Sequence, residues 1–272
     1  MPTLYVVATP IGNLEDISLR ALRVLREVKL IAAEDTRRTK ILLATYNIKT
    51  RMTSYHKHNE WAKLDYILRC LEEGDVALVA DAGVPGVSDP GYELIVAATR
   101  WGISVVPVPG PSAVTAAVVI SGLATERFIY LGFLPPRAGG RRRVLQSVAG
   151  ESGTIIVLES PHRLQKALSD ILLVLGDRRV AVCRELTKLH EEVFRGTVGQ
   201  AIEHFAEPRG EFTLVIEGQR EEERPQLSEA IEARLQLMRQ AGVTAREATA
   251  RVAEETGLSK RELYRAWLKP RR

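Results

Sequence analysis

The feature that most constrains this chain is its regular alternation of short, nearly continuous apolar runs with amphipathic stretches. TLYVVA (3–8), KLIAA (29–33), DVALVA (75–80) and ISVVPV (103–108) have the length of strands. They lack the polar alternation of a half-exposed sheet, as strands covered on both faces must. Between them, residues 17–27, 39–46, 60–73 and 92–101 carry helical periodicity. Strand–helix–strand alternation predicts a mainly parallel α/β sheet.

A second series begins after Gly122. Strands are predicted at 127–132, 154–159, 179–184, 192–196 and 212–217, with helices at 144–149, 163–175 and 198–205. A boundary near 121–126 divides an N-terminal α/β domain (1–122) from a second α/β domain (123–219). QREEERP (219–225) is a charged break that reads as a solvated linker. Beyond it, 227–241, 245–255 and 259–268 read as three helices of a C-terminal unit (226–272), stopped by Gly242 and Gly257.

The 272 residues, 45% hydrophobic and 26% charged, suffice for a large core and exclude a wholly disordered chain. No apolar run is long enough for a membrane helix, and the N-terminus lacks the pattern of a signal peptide. Cys70 and Cys183, far apart, fit a reducing cytoplasm and exclude a cysteine-based zinc site. His56 and His58 (YHKHN) have no third ligand nearby and read as surface residues, so no metal is expected. HEEVF, from His190, is not a zincin motif, and ESPHR lacks the nucleophile elbow of a hydrolase.

The Gly and Pro residues mark the candidate site. Pro10 and Gly12 follow the first strand, Gly83, Pro85, Gly86, Pro90 and Gly91 follow the third, and Pro109, Gly110 and Pro111 follow the fourth. In an open α/β sheet these loops lie at the carboxyl ends of strands, where ligands bind. The plainer reading is that they only punctuate turns. Neither a Walker A loop nor a dinucleotide fingerprint is present. The loops carry Pro, Ser and Asp in place of Lys or Arg, which suits a ligand without phosphates. Asp81 suits ribose hydroxyls, Ser112 suits a carboxylate or amine, and backbone carbonyls suit a cation. S-adenosylmethionine has all these groups.

KLIAAEDTRRTK (29–40) ends a strand near Ala33 and leaves Glu34, Asp35, Arg37 and Arg38 at the same edge. One reading is a catalytic and phosphate-binding cluster; the other is that Asp35 caps the next helix. PPRAGGRRR (135–143) places Arg137, Arg141, Arg142 and Arg143 on a predicted loop, either as phosphate contacts or as plain exposed charge. The C-terminal unit holds ten basic and six acidic residues, a difference of 10 − 6 = +4, equal to the net charge of the whole chain. It reads as a helix-turn-helix-like nucleic-acid contact or as a docking module.

VATPIGNLEDIS, AAEDTRRT, ADAGVPGVSDPG, VPGPSA, FLPP, ESPHR, CRELTKLHEE and EFTLVIEG occur in this order. Together they resemble the ribosomal RNA small subunit methyltransferase I family of the tetrapyrrole (corrin/porphyrin) methylase superfamily. The resemblance covers residues 3 to about 218, and the C-terminal helices more loosely. It implies two α/β domains with S-adenosylmethionine in the cleft between them, and a homodimer. It further implies 2′-O-methylation of a cytidine in the decoding region of 16S rRNA, with the rRNA or small ribosomal subunit as partner. Carried over by position, Pro10, Asp81, Ala82, Gly83, Gly86, Ser112 and Ala113 lie in the cofactor loops. Glu159, Gly196 and Thr213 would close over the cofactor from the second domain. On this reading Glu34 or Asp35 is the candidate base, and Arg37 and Arg38 hold adjacent phosphates. A methylase acting on a small acidic macrocycle and a non-catalytic RNA-binding protein are the rival readings.

Overall fold

The computed structural model describes residues 2–219 and 227–268. It separates into two compact units, Met1–Gly218 and Gln219–Arg272.

The first half of the larger unit contains β1 (Thr3–Val7), α1 (Leu19–Glu27), β2 (Leu30–Ala33), α2 (Thr36–Thr45), β3 (Met52–Ser54), α3 (Glu60–Glu73), β4 (Val76–Val79), α4 (Tyr92–Arg100), β5 (Ser104–Val108) and α5 (Ala113–Ser121). The strands pair in the order β3-β2-β4-β1-β5, all parallel. One face packs Val7, Ile31, Ala33 and Val79 against Leu22, Leu25 and Leu42. The other packs Leu4, Leu30, Ala32 and Leu78 against Ile67, Leu68, Leu71 and Leu94. Burial on both faces explains why β2 and β4 are apolar at every position. Because the strands are parallel, every loop that follows a strand leaves from the same edge.

Two elements here had no clear sequence signal. β3 is a three-residue, half-buried edge strand, MTS, with no apolar run. α5 is AVTAAVVIS, apolar on all sides and rich in β-branched residues, so no helical period stands out. Packing decides its state: Ala117 lies against Ala181, Cys183 and Val215 of the second sheet.

The second half contains β6 (Phe128–Phe133), α6 (Ala138–Ser147), β7 (Thr154–Glu159), α7 (Pro161–Leu175), β8 (Arg179–Arg184), β9 (Glu192–Thr197), α8 (Val198–His204) and β10 (Phe212–Ile216). Its strand order is β6-β7-β10-β8-β9, and the β6–β7 pair is its parallel pair. The first half meets its expectation of a mainly parallel sheet, and the sheet of the second α/β half is mixed. The connection from β8 to β9, residues 185–191, is too short for the crossover a parallel pair needs. One face of this sheet carries α6, α7 and α8 around Leu145, Leu164, Leu168 and Leu214. The other faces α5.

The arginine-rich segment is helix, not loop, and one arginine is internal. Arg141 is 4% exposed. Its Nε donates to Asp170 Oδ2 at 2.6 Å, and Arg142 Nε donates to Asp170 Oδ1 at 2.6 Å. Arg141 is thus structural and unavailable to a phosphate, whereas Arg137, Arg142 and Arg143 remain exposed. Burial alone would raise the Asp170 carboxyl; hydrogen bonds from Arg142 and Arg141 outweigh it and hold the group below its ordinary value.

In the smaller unit, α9 (Glu229–Gln240), α10 (Ala245–Thr256) and α11 (Lys260–Leu268) enclose Leu235, Ala248, Val252, Leu258 and Leu263. Thr244 and Glu247 form a capping box, and Gly257 ends α10 at φ +72°. Residues 220–226 of the charged break lie outside the described residues.

Removing Asp170 strands a buried guanidinium. Asp170→Ala is expected to lower stability by about 3–5 kcal/mol, read by urea unfolding. Arg142→Ala, which leaves the inner pair intact, should cost about 1 kcal/mol or less.

Candidate active site

Three of the Gly/Pro loops meet at one point. Thr9 N donates to Gly83 O at 2.9 Å, and Gly83 N donates to Thr9 O at 3.0 Å. The Thr9 hydroxyl donates to Ala80 O at 3.1 Å. Gly83 has φ +76°, and a β-carbon there would lie 3.6 Å from Ile11 Cγ2 and 3.9 Å from Pro111 O. The backbone sign is what requires glycine at this position. Pro10 is buried beside this junction. Ser112 is the N-cap of α5 and Ala113 its first residue. Ala82, Ala113 and Ala116 pack with Ile11 into a small-residue floor.

Beside the floor lies a group of carboxylates. Glu34 Oε2 accepts from Asp81 N at 3.1 Å, and Asp81 Oδ1 accepts from Asp35 N at 2.9 Å. Arg38 Nη1 is 3.6 Å from Asp81 Oδ2. Burial raises the Glu34 carboxyl and the Asp81 carboxyl, and each is raised further by negative neighbours. Asp89 is the most displaced: burial, then the charges of Glu34 and Asp81, push it up to about 7.

The sequence analysis placed Pro90 and Gly91 in a ligand loop but did not single out Asp89 between Ser88 and Pro90. The argument that selected Asp81, an acid on a loop at this edge, applies equally to it. The loop is held across both halves. Ser88, at φ +65°, places its hydroxyl 2.7 Å from the Tyr130 hydroxyl on β6. Gly86, at φ +81°, bends the same loop.

Asp35 takes the capping role. Its Oδ1 accepts from Arg37 N at 2.8 Å and its Oδ2 from Arg37 Nη2 at 2.7 Å. The Arg37 hydrogen bonds pull the carboxyl down to about 2, which makes it a poor proton acceptor. This corrects its candidacy as a base and leaves Glu34 and Asp89.

The second half reaches the site differently from expectation. Glu159 Oε1 accepts from Ser160 N at 2.9 Å and lies 3.2 Å from Arg163 Nε. Its register partner Phe212 packs in the helix-covered core. Its side chain is therefore on the face away from α5 and does not close over the loops. Gly196 lines a cavity of about 280 Å³ with Ser121, Leu123 and Arg195. Ser121 ends α5, about 12 Å along that helix from Ala113, so Gly196 is not brought to the loop junction. Thr213 is buried on the α5-facing side, on the same face of β10 as Val215. A contact that had been assigned no role comes from the β8–β9 turn. There Asn13 N donates to Thr187 Oγ1 at 2.9 Å, and a β-carbon on Gly12 would fall 2.5 Å from Lys188 Cγ.

Residues 3–202 match the model of the Tetrapyrrole (Corrin/Porphyrin) Methylases, and the chain belongs to that family. Within it, relatives named Ribosomal RNA small subunit methyltransferase I align along most of the sequence. The one from Halalkalibacterium halodurans is 46% identical over 96% of this chain and 93% of its own length. The one from Thermotoga maritima is 52% identical over 80% of this chain and 99% of its own. Two solved structures share the fold. Diphthine synthase has TM-score 0.65 and 16% identity, covering 80% of this chain and 90% of that one. Uroporphyrin-III C-methyltransferase from Thermus thermophilus, complexed with S-adenosyl homocysteine, has TM-score 0.60 and 21% identity, covering 80% and 97%.

A raised Asp89 means the folded chain holds a proton that the unfolded chain gives up nearer pH 4. Stability contributed by that proton is present at low pH and lost as pH rises to about 7. Asp89→Asn should therefore raise Tm at pH 8 and change it little at pH 4. An equal shift at both pH values would remove Asp89 from the buried cluster.

Proposed function

We propose that this chain transfers a methyl group from S-adenosylmethionine to the ribose 2′-oxygen of a cytidine in the decoding region of 16S rRNA. The observation that carries the reading is a cluster of three carboxylates set among glycine loops without basic residues, with Arg38 at its border. Kinship to the small-subunit rRNA methyltransferases along most of the chain supports the substrate class. The bacterial relatives support the cytoplasm, where ribosomes are assembled, as the place of action.

The loop residues fit the cofactor. No Lys or Arg occurs in 9–12, 82–91 or 109–113, so nothing there favours a phosphate or repels a positive ligand. Glu34, Asp81 and Asp89 favour a cation, and the cofactor's sulfonium and ammonium are cations. The close loop junction offers backbone groups and an alanine floor to an uncharged ring. When bound, the cofactor supplies a methyl carbon on positively charged sulfur, open to attack by oxygen.

The chain's own groups handle the acceptor. A carboxylate that titrates near neutrality is matched to removing a hydroxyl proton, and Asp89, with Glu34 beside it, has that property. Arg38 is exposed next to this cluster and suits a phosphate flanking the reacting ribose. A ribose 2′-oxygen exists in RNA and not in DNA, so the acceptor itself sets that preference.

The test uses labelled S-adenosylmethionine and small ribosomal subunits, with the label mapped to a nucleotide. One labelled cytidine 2′-oxygen is expected; label on an added tetrapyrrole in its place would overturn the RNA reading. The single-turnover rate should rise with pH and then level, with its midpoint below about 7 because the bound cation favours the ionised Asp89 carboxylate. Asp89→Asn should slow it by about 10²–10⁴-fold and flatten that profile.

For the C-terminal unit we propose a phosphate contact, on its excess of basic residues and its α10–turn–α11 arrangement. A chain ending near Arg224 should keep cofactor binding and bind small subunits more weakly. Each lost phosphate contact should reduce the slope of log affinity against log salt by about 0.7–0.9. Equal slopes would assign the unit to assembly or stability.

A further inference from the structure

The register of the parallel sheet brings a second segment to the border of the site. Ser54 is the partner of Ala33, and Tyr55 N donates to Ala33 O at 2.7 Å. The turn after β3 therefore leaves the sheet beside the segment that carries Arg37 and Arg38, one strand spacing away. That turn is YHKHN. Tyr55 is fully buried and anchors it. Asn59 Oδ1 accepts from His56 N at 2.8 Å, and Asn59 Nδ2 donates to Ser54 Oγ at 3.0 Å. The turn is thus fixed by its own hydrogen bonds, with Lys57 and His58 exposed at its tip.

The first turn of α3 carries Trp61. This helix buries Ile67, Leu68 and Leu71, with Leu64 partly buried. Trp61 continues that row past the end of the core, toward the loop edge, and is 67% exposed there. A large aromatic that a helix spacing would place in the core is instead left open, four residues after Lys57; Arg38 stands one strand away at the N-terminus of α2, which packs on the opposite face of the sheet. Arg37 is paired with Asp35 and Arg38 lies 3.6 Å from Asp81, so the exposed Lys57 supplies the cation on the Trp61 side of this border. A rigid backbone, an open aromatic face and a nearby cation are components of single-stranded nucleic-acid binding.

We infer that the β3–α3 turn and Trp61 form a subsite for single-stranded RNA beside the reacting nucleotide, with Trp61 stacking on an unpaired base and Lys57 meeting its phosphate. The inference rests on the RNA reading above and names where the strand runs. It gives a role to the YHKHN segment, whose histidines read as plain surface in the sequence. The subsite is selective for unpaired RNA, because a duplex offers no free base face.

The test compares full-length Trp61→Ala, Trp61→Phe, Lys57→Ala and Trp101→Ala. Trp101 is an exposed tryptophan at the C-terminus of α4, on the opposite edge of the sheet, and serves as the control. The probes are small ribosomal subunits, a mixed-sequence single-stranded oligoribonucleotide and its duplex, each at several salt concentrations. Trp61→Ala should weaken single-strand binding about tenfold or more, remove the preference over duplex and leave the salt slope unchanged. Trp61→Phe should retain most of the affinity. Lys57→Ala should reduce the salt slope by about 0.7–0.9. All variants should keep wild-type Tm and cofactor affinity. If Trp61→Ala and Lys57→Ala bind RNA as wild type does while wild type methylates the subunit, the subsite is refuted and the RNA reading stands. If wild type neither binds nor methylates RNA, both fall.

Discussion

The site depends on the reciprocal backbone pair between Thr9 and Gly83. Two hydrogen bonds, with a third from the Thr9 hydroxyl to Ala80, lock the loop after β1 to the loop after β4. Gly83 meets this geometry with a positive φ, which costs a residue with a β-carbon about 1–2 kcal/mol. Once the pair is made, Asp81 is fixed two residues upstream, where its carboxylate accepts from the Asp35 backbone and its own backbone donates to Glu34. The positions of the β2 and β4 loops are then no longer independent.

That locking has an electrostatic consequence. Glu34, Asp81 and Asp89 are brought together and partly removed from water, so each resists ionisation. Asp35 escapes the same fate because Arg37 folds back onto it. The residual tension is relieved by a positive ligand or by a proton, and the proposed reaction provides both: a cationic cofactor and an acceptor hydroxyl that must lose its proton. Arg38 remains at the border, close enough to Asp81 to moderate the cluster and open enough to meet a phosphate.

The two sheets divide the work. The parallel sheet places every post-strand loop at one edge by topology alone. The second half supplies two fixing contacts to these loops, from Tyr130 on β6 to Ser88 and from Thr187 in the β8–β9 turn to Asn13. Its conspicuous acid, Glu159, is spent internally on Arg163, and Arg141 on Asp170. Charged residues in recognisable motifs are thus split between chemistry and scaffolding by burial, which their local sequence does not encode.

The sequence by itself determined the alternating architecture of the first half, the loops that would bear ligand and the helical ends of most elements. Apolar runs, glycines and prolines act locally, and their meaning survives without knowledge of distant partners. Pro10, Asp81, Gly83, Ser112 and Ala113 could be placed at the loop edge for that reason. Tertiary structure decided what depends on residues far apart in the chain. It paired β3 with β2, ordered α5 against the second sheet, turned Glu159 and Gly196 away from the loop junction and buried Arg141. It also raised Asp89 into a titrating position, because proximity to Glu34 and Asp81 exists only after β2 and β4 lie side by side. A carboxyl's charge in water is a property of its residue type; its charge in a folded site is a property of its neighbours and its burial.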